Sequence, residues 1–150
     1  MKPELQLLCE VRASLEPTTV IGDTAHGSRR MVGITGGTFA GPRLRGRVLT
    51  GADWQFWRSD GITELEARYL LQTDDGVNIE VNNRGIRHGS PQVMQRLASG
   101  QPVDPALVYF RATPFLTAPS GPYEWLNRSL YLCSGTRLPD AVLLWFYQVL

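Results

Sequence analysis

Lysine is almost missing from this chain. Lys2 is the only one among 15 basic residues, and the rest are arginines. Arginine suits planar, hydrogen-bonded or stacked contacts, although a GC-rich genome gives the same bias. There is no excess of either charge: 15 basic residues face 14 acidic ones, for a net of +1. A chain this close to neutral lacks the cationic surface of a nucleic-acid binder that works by counterion release. The histidines, His26 and His88, lie far apart with no carboxylate at metal spacing, so no zinc motif is present and no metal is expected. Cys9 and Cys133 sit in apolar surroundings, LLCEV and LYLCSG. They read as buried free thiols rather than a disulfide or metal pair. No apolar run is long enough to span a membrane, and MKPELQLLCEV lacks the apolar core of a signal peptide. The expectation is a cytoplasmic protein with neither a nucleic-acid nor a membrane partner. Gly36-Gly37 is followed by no Lys-Ser/Thr, there is no Gly-x-Ser-x-Gly, and neither cysteine has a nearby histidine. No phosphate loop or nucleophile motif is therefore expected, and no cofactor.

What the chain does have is glycine. The stretch Gly33–Trp54 places Gly36, Gly37, Gly41, Gly46, Gly51 and Pro42 among short apolar pieces. Glycine at this density serves places where the backbone takes φ > 0 or passes close to another group. The 150 residues fit one domain, 1–150, large enough to bury a core without disulfides. Strand signals dominate, over 6–15, 30–34, 43–49, 54–58, 62–72, 77–82, 108–113, 126–133 and 142–149. Asp74-Asp75-Gly76 makes a hairpin turn. Ser90-Pro91 opens a single short helix over residues 90–99, and Gly100 stops it. These signals predict an all-β fold, a single antiparallel β-barrel with one short helix.

The strand at 62–72 has an unusual face. Glu64, Glu66, Arg68, Leu70 and Gln72 share one side, while Thr63, Leu65, Ala67, Tyr69 and Leu71 share the other. A sheet with one wet face gives this pattern, and so does a barrel with a polar lumen. Asp53 beside Trp54 is the leading site candidate. In a closed apolar cavity its carboxyl would resist ionisation and could carry a proton. The competing reading is a cap on the Gly51-Ala52 turn. Arg68 is the candidate for stabilising negative charge, against a salt bridge to Glu66, Glu80 or Asp53. Tyr69, Glu80, Tyr109, Arg111, Trp125 and Asn127, with Trp54, are candidate substrate-binding residues. Ordinary barrel packing is the alternative for each.

The pieces ITGGTFAGPRLRG (34–46), GADW (51–54), ARYLLQTDDG (67–76), NRGIRHG (83–89), VDP (103–105), YFRATPF (109–115) and YEWLNRSLYLCSG (123–135) occur in order over most of the chain. In this they resemble the DUF3237 family, also called UPF0311. The resemblance implies a compact antiparallel β-barrel whose polar residues gather at one cavity. It implies no reaction.

Three functions follow. The first is a cofactor-independent enzyme of isomerase, lyase or cyclase type, acting on a small hydrophobic or aromatic oxygenated ligand. Asp53 would move the proton in it. The second is a barrel that binds such a ligand without turnover. The third is a structural oligomer. A homodimer is expected, because both faces of residues 142–149 are apolar.

Overall fold

A computed structural model describes Met1–Leu150. Nine strands follow one another: β1 (Leu5–Leu15), β2 (Thr19–Thr24), β3 (Gly27–Ala40), β4 (Arg45–Trp57), β5 (Thr63–Thr73), β6 (Asn78–His88), β7 (Tyr109–Thr117), β8 (Tyr131–Arg137) and β9 (Ala141–Val149). One helix, α1 (Pro91–Ala98), lies between β6 and β7, with 3-10 turns at Pro105–Leu107 and Glu124–Arg128.

The strands form one antiparallel sheet in the order β1-β9-β8-β7-β6-β5-β4-β3-β2, and β1 also pairs with β3. That pairing closes an eight-stranded barrel from β1 and β3 to β9. Closure removes the unpaired edges that an open sheet would present. β3 is long enough to serve two partners. Its first part pairs with β2 from Gly27 to Met31, and its second with β1 from Ile34 to Ala40.

The local sequence explains most of these elements. β6 and β7 alternate buried and exposed residues almost without exception, as a sheet with one face inward requires. Gly76, at φ 86°, turns the chain between β5 and β6 in a conformation that costs other residues. The helix starts as expected: Ser90 accepts a hydrogen bond from the Val93 amide, and Pro91 occupies the first turn.

Several expectations need correction. β4 runs through Gly51 and Ala52, where a turn was one of the two readings. Its register slips between Val48 and Gly51, the mark of a bulge. There β4 crosses β5 so closely that a Cβ on Gly51 would overlap the Arg68 carbonyl. Asp53 is therefore a strand residue and caps no turn. β2 was not anticipated. Glu124–Arg128 is a 3-10 turn, so Trp125 and Asn127 do not share a strand face.

The barrel interior has two parts. One end is apolar, filled by Phe146, Leu71, Ile79, Val11, Cys9 and Leu126, all essentially out of solvent. Both cysteines are free and buried, and burial pushes their thiols up to about 12. The other end buries polar side chains, among them Gln55, Thr63, Asn83 and Arg87. β5 turns Thr63, Leu65, Tyr69 and Leu71 inward and leaves Glu64, Glu66 and Arg68 exposed. Its charged face is the wet outside of the barrel. No helix is long and apolar enough to cross a membrane.

Candidate functional site

The site is built at the polar end, where β4 finishes and β5 begins. Asp53, Gln55 and Trp57 stand at every second position of β4, so all three face inward. Across the sheet, Asp53 is opposite Ala67 and Gln55 is opposite Leu65. β6 then places Asn83 opposite Ala67, and Arg87 opposite Thr63. Arg137 closes the ring from the end of β8, where it faces Val142 of β9.

These residues surround two connected spaces. An inner chamber of about 40 Å³ is lined mainly by apolar side chains, with Asp53, Gln55, Tyr69, Asn83, Arg87 and Arg137 as its polar wall. An outer vestibule of about 370 Å³ opens beyond it, flanked by Trp57, Arg30 and the α1 residues Met94 and Leu97. Val32, Gln55, Arg87 and Arg137 line both spaces. They form the neck between them. The chamber has room for a few water-sized groups, and the vestibule has the volume of an ordinary ligand site.

Hydrogen bonding fixes the carboxyl. The Trp57 indole N–H donates to Gln55 Oε1 at 2.9 Å, and Gln55 Nε2 donates to Asp53 Oδ2 at 2.7 Å. An indole can only donate, so the Gln55 carbonyl must face Trp57 and its amide must face Asp53. The other carboxyl oxygen, Asp53 Oδ1, is buried without a partner, as are the Tyr69 hydroxyl and Arg87 Nε. Such atoms are rare in folded proteins and call for an explanation.

The electrostatics follow from burial. Desolvation raises the Asp53 pKa above the usual carboxylate value. The Gln55 hydrogen bond, the Arg87 charge, a hydrogen bond from the Glu66 backbone and the Arg137 charge oppose the rise without cancelling it. Burial lowers Arg87 to about 10, and it lowers Arg137 as well. Burial raises Tyr69 further above its ordinary range, so its hydroxyl keeps its proton. The four ion pairs of the chain involve none of Asp53, Arg87 and Arg137. A carboxyl and two guanidiniums thus share a low-dielectric space without a close pairing.

Of the residues nominated from sequence, Asp53 and Tyr69 line the chamber. The others do not reach it. Trp54 follows Asp53 and so points outward, 39% exposed, with the Arg29 guanidinium 5.5 Å from its ring. Arg68 and Glu80 pair with each other on the outer surface at 3.0 Å. Tyr109 stacks on His88 outside the barrel, and Arg111 lies over the same tyrosine. Trp125 packs under Arg43. Asn127 clamps the backbone N–H and C=O of Ala118, both at 2.8 Å. These seven are held by structural contacts of the barrel wall and its rim.

The family model described as "Protein of unknown function (DUF3237)" matches residues 3–149. The chain belongs to this family. It is 38% identical over 148 residues to a UPF0311 protein of Rhodopseudomonas palustris, covering 98% of this chain and 97% of the other. The crystal structure of the R. palustris conserved protein of unknown function RPA1785 superposes with a TM-score of 0.95 at 36% identity, covering 100% and 99% of the two chains. A shorter likeness, 32% identity over 79 residues and 53% of each chain, is to the hydroalkoxylation enzyme phnH of Penicillium herquei. The fold alone is shared with a solved enzyme from P. herquei, at TM-score 0.76 and 22% identity over 100% of this chain and 96% of that one.

Gln55, Trp57, Asn83, Arg87 and Arg137 were not among the nominated residues. A signal for most of them exists. Val77, Ile79 and Val81 alternate inward in the sequence; one further step of the same two-residue period reaches Asn83, and three reach Arg87. One such step from Asp53 likewise reaches Gln55, and two reach Trp57.

Proposed function

We propose that this chain is an enzyme that moves a proton within a small, hydrophobic, oxygenated metabolite, without a cofactor, and that Asp53 carries the proton. The observation behind this reading is Asp53 Oδ1: a buried carboxyl oxygen without a partner that faces a chamber, on a group whose burial favours the protonated form. An acid whose surroundings favour its protonated form is suited to general acid catalysis.

The likeness to a hydroalkoxylation enzyme over about half the chain supports the cyclase form of the reaction. In that form Asp53 donates its proton to one carbon of a double bond. The π bond breaks, and a hydroxyl oxygen of the same molecule bonds to the neighbouring carbon. That hydroxyl then returns its proton to Asp53. No electrons are gained or lost overall, and the acid is regenerated. Gln55 holds Oδ2, so that Oδ1 presents the proton. The Tyr69 hydroxyl is placed to donate to a substrate oxygen.

A panel of hydroxyaryl alkenes, assayed for cyclised products, tests this. Asp53→Asn keeps the shape and the Gln55 contact but has no acidic proton. Turnover should fall by about 10²- to 10⁴-fold, the usual worth of a general acid or base. Undiminished turnover in this variant removes Asp53 from the chemistry. Saturable binding of panel members with no turnover by the wild type would favour the second reading, a non-catalytic binding barrel built on the same cavity.

A further inference from the structure

The neck between chamber and vestibule carries more positive charge than its one carboxyl balances. Arg30, Arg58, Arg87 and Arg137 line the vestibule, and no acidic side chain does. Two of them are accounted for. Arg58 is held by Asp60 and Glu64. Arg30 lies with its guanidinium 3.7 Å from the centre of the Trp57 ring and donates from Nε to Ser28 at 3.3 Å.

Arg87 and Arg137 are different. Arg87 is 6% exposed; its guanidinium lies 5.7 Å from the centre of the Phe110 ring, and its Nε has no hydrogen-bond partner. Arg137 spends only one nitrogen, Nη1, on the carbonyls of Leu138 and Ala141. Neither is within ion-pair distance of any carboxylate. Arg87 is buried and Arg137 half-buried, and guanidiniums taken out of water are ordinarily paired, because losing hydration of the charge is costly. Their flat, forked donors match a carboxylate in two hydrogen bonds. The apolar part of the wall around them is made by Val32, Trp57, Ile62, Met94 and Leu97.

We infer that the substrate is an organic anion with a flat apolar body, and that Arg87 and Arg137 receive its carboxylate at the neck while the body lies in the vestibule. This rests on the reading of Asp53 as the proton carrier in the adjoining chamber. The anion supplies the negative charge that a protonated Asp53 does not. The two arginines then position the substrate so that its reactive end enters the chamber.

The test uses 2-naphthoate and its uncharged counterpart 2-naphthamide, titrated calorimetrically into the full chain at neutral pH and low salt. Naphthoate should bind about tenfold or more tightly than the amide, the scale of one charge-assisted contact. Arg137→Gln and Arg87→Gln should each erase most of that advantage and leave amide binding nearly unchanged. Equal binding of acid and amide, or an acid preference that survives both substitutions, overturns the inference. So does the absence of saturable binding by either compound. Should both variants fail to fold, the acid-to-amide ratio of the wild type decides alone. The binding measurement needs no turnover. Acid-selective binding combined with turnover that survives Asp53→Asn would sink the proton-carrier reading alone. Equal binding with Asp53-dependent turnover would sink the anion reading alone.

Discussion

Asp53 is expensive where it stands. Its pKa is raised in the folded chain, chiefly by burial, so the folded state holds its proton more tightly than the unfolded state does. Below the unfolded value of 3.8 the carboxyl is protonated in both states and destabilises neither. As pH rises from there to the folded pKa, the unfolded chain binds fewer protons than the folded one, and stability falls. Above the folded pKa the full penalty remains. Asp53→Asn removes it and keeps an acceptor for the Gln55 amide. The variant should melt at a higher temperature than the wild type at pH 7, and the gap should close below about pH 4. Thermal melts at both pH values check this, and a lower melting temperature at pH 7 would show that the ionised carboxylate is stabilising. Gln55→Leu should act the other way. It strips the indole of Trp57 and one Asp53 oxygen of their partners, which costs roughly 1–3 kcal/mol. It should also raise the Asp53 pKa further, since the Gln55 hydrogen bond lowers it. Infrared titration of the carboxyl band reads that shift directly.

At the scale of elements, the helix α1 forms one flank of the vestibule yet buries none of its own residues. An element with so little packing opens locally at low free energy. Its cap matters in proportion: Ser90 Oγ accepts from the Val93 amide at 3.2 Å. Ser90→Ala should cost about 1 kcal/mol of local stability. Hydrogen exchange across residues 91–98 should quicken by about fivefold while global unfolding is unmoved. Unchanged exchange there would mean that the helix is held by something other than its cap. This helix was legible in the sequence because Ser-Pro at its start and Gly100 at its end are local signals. The strands of alternating sequence were legible for the same reason, and so was Asp53. β2 and the length of β3 were not. Their glycines and polar residues resemble a loop until the partner strands are known, and the β1–β3 pairing spans distant residues. The misplaced site residues share one cause. Trp54, Arg68 and Glu80 were chosen for their chemistry, while strand parity decides which side chains enter the barrel, and closure turned the charged side of β5 outward. The strand signal at 77–82 stops short of Arg87, which Gly85 and Gly89 flank, yet β6 continues through to His88.

For the molecule as a whole, the open question is what covers its apolar outside. The outer residues of β9, Leu143, Trp145 and Tyr147, are already half-buried by the chain itself, so the run 142–149 is not the bare surface. Among the exposed apolar side chains are Phe115, Leu130 and Leu132, at 65%, 71% and 42% exposure. Together with Pro114 and Val149 they line one groove of about 370 Å³. We propose that a second copy of the chain covers this groove, making a homodimer, since contiguous apolar patches of this kind mark association surfaces. Light scattering at micromolar concentration should then give twice the 16.7 kDa of one chain. Phe115→Glu should reduce it to a single chain. The site should survive that change. Leu130 precedes β8 and Arg137 ends it, and a strand of that length separates them by roughly 20 Å at about 3.3 Å per residue. The groove lies on the outer surface of the wall and shares no lining residue with the vestibule. A Phe115→Glu monomer that keeps its preference for 2-naphthoate would show that each barrel works alone. A monomer that loses this preference would mean that groove and vestibule are coupled through the wall. A wild type that already scatters as a single chain would remove the dimer altogether.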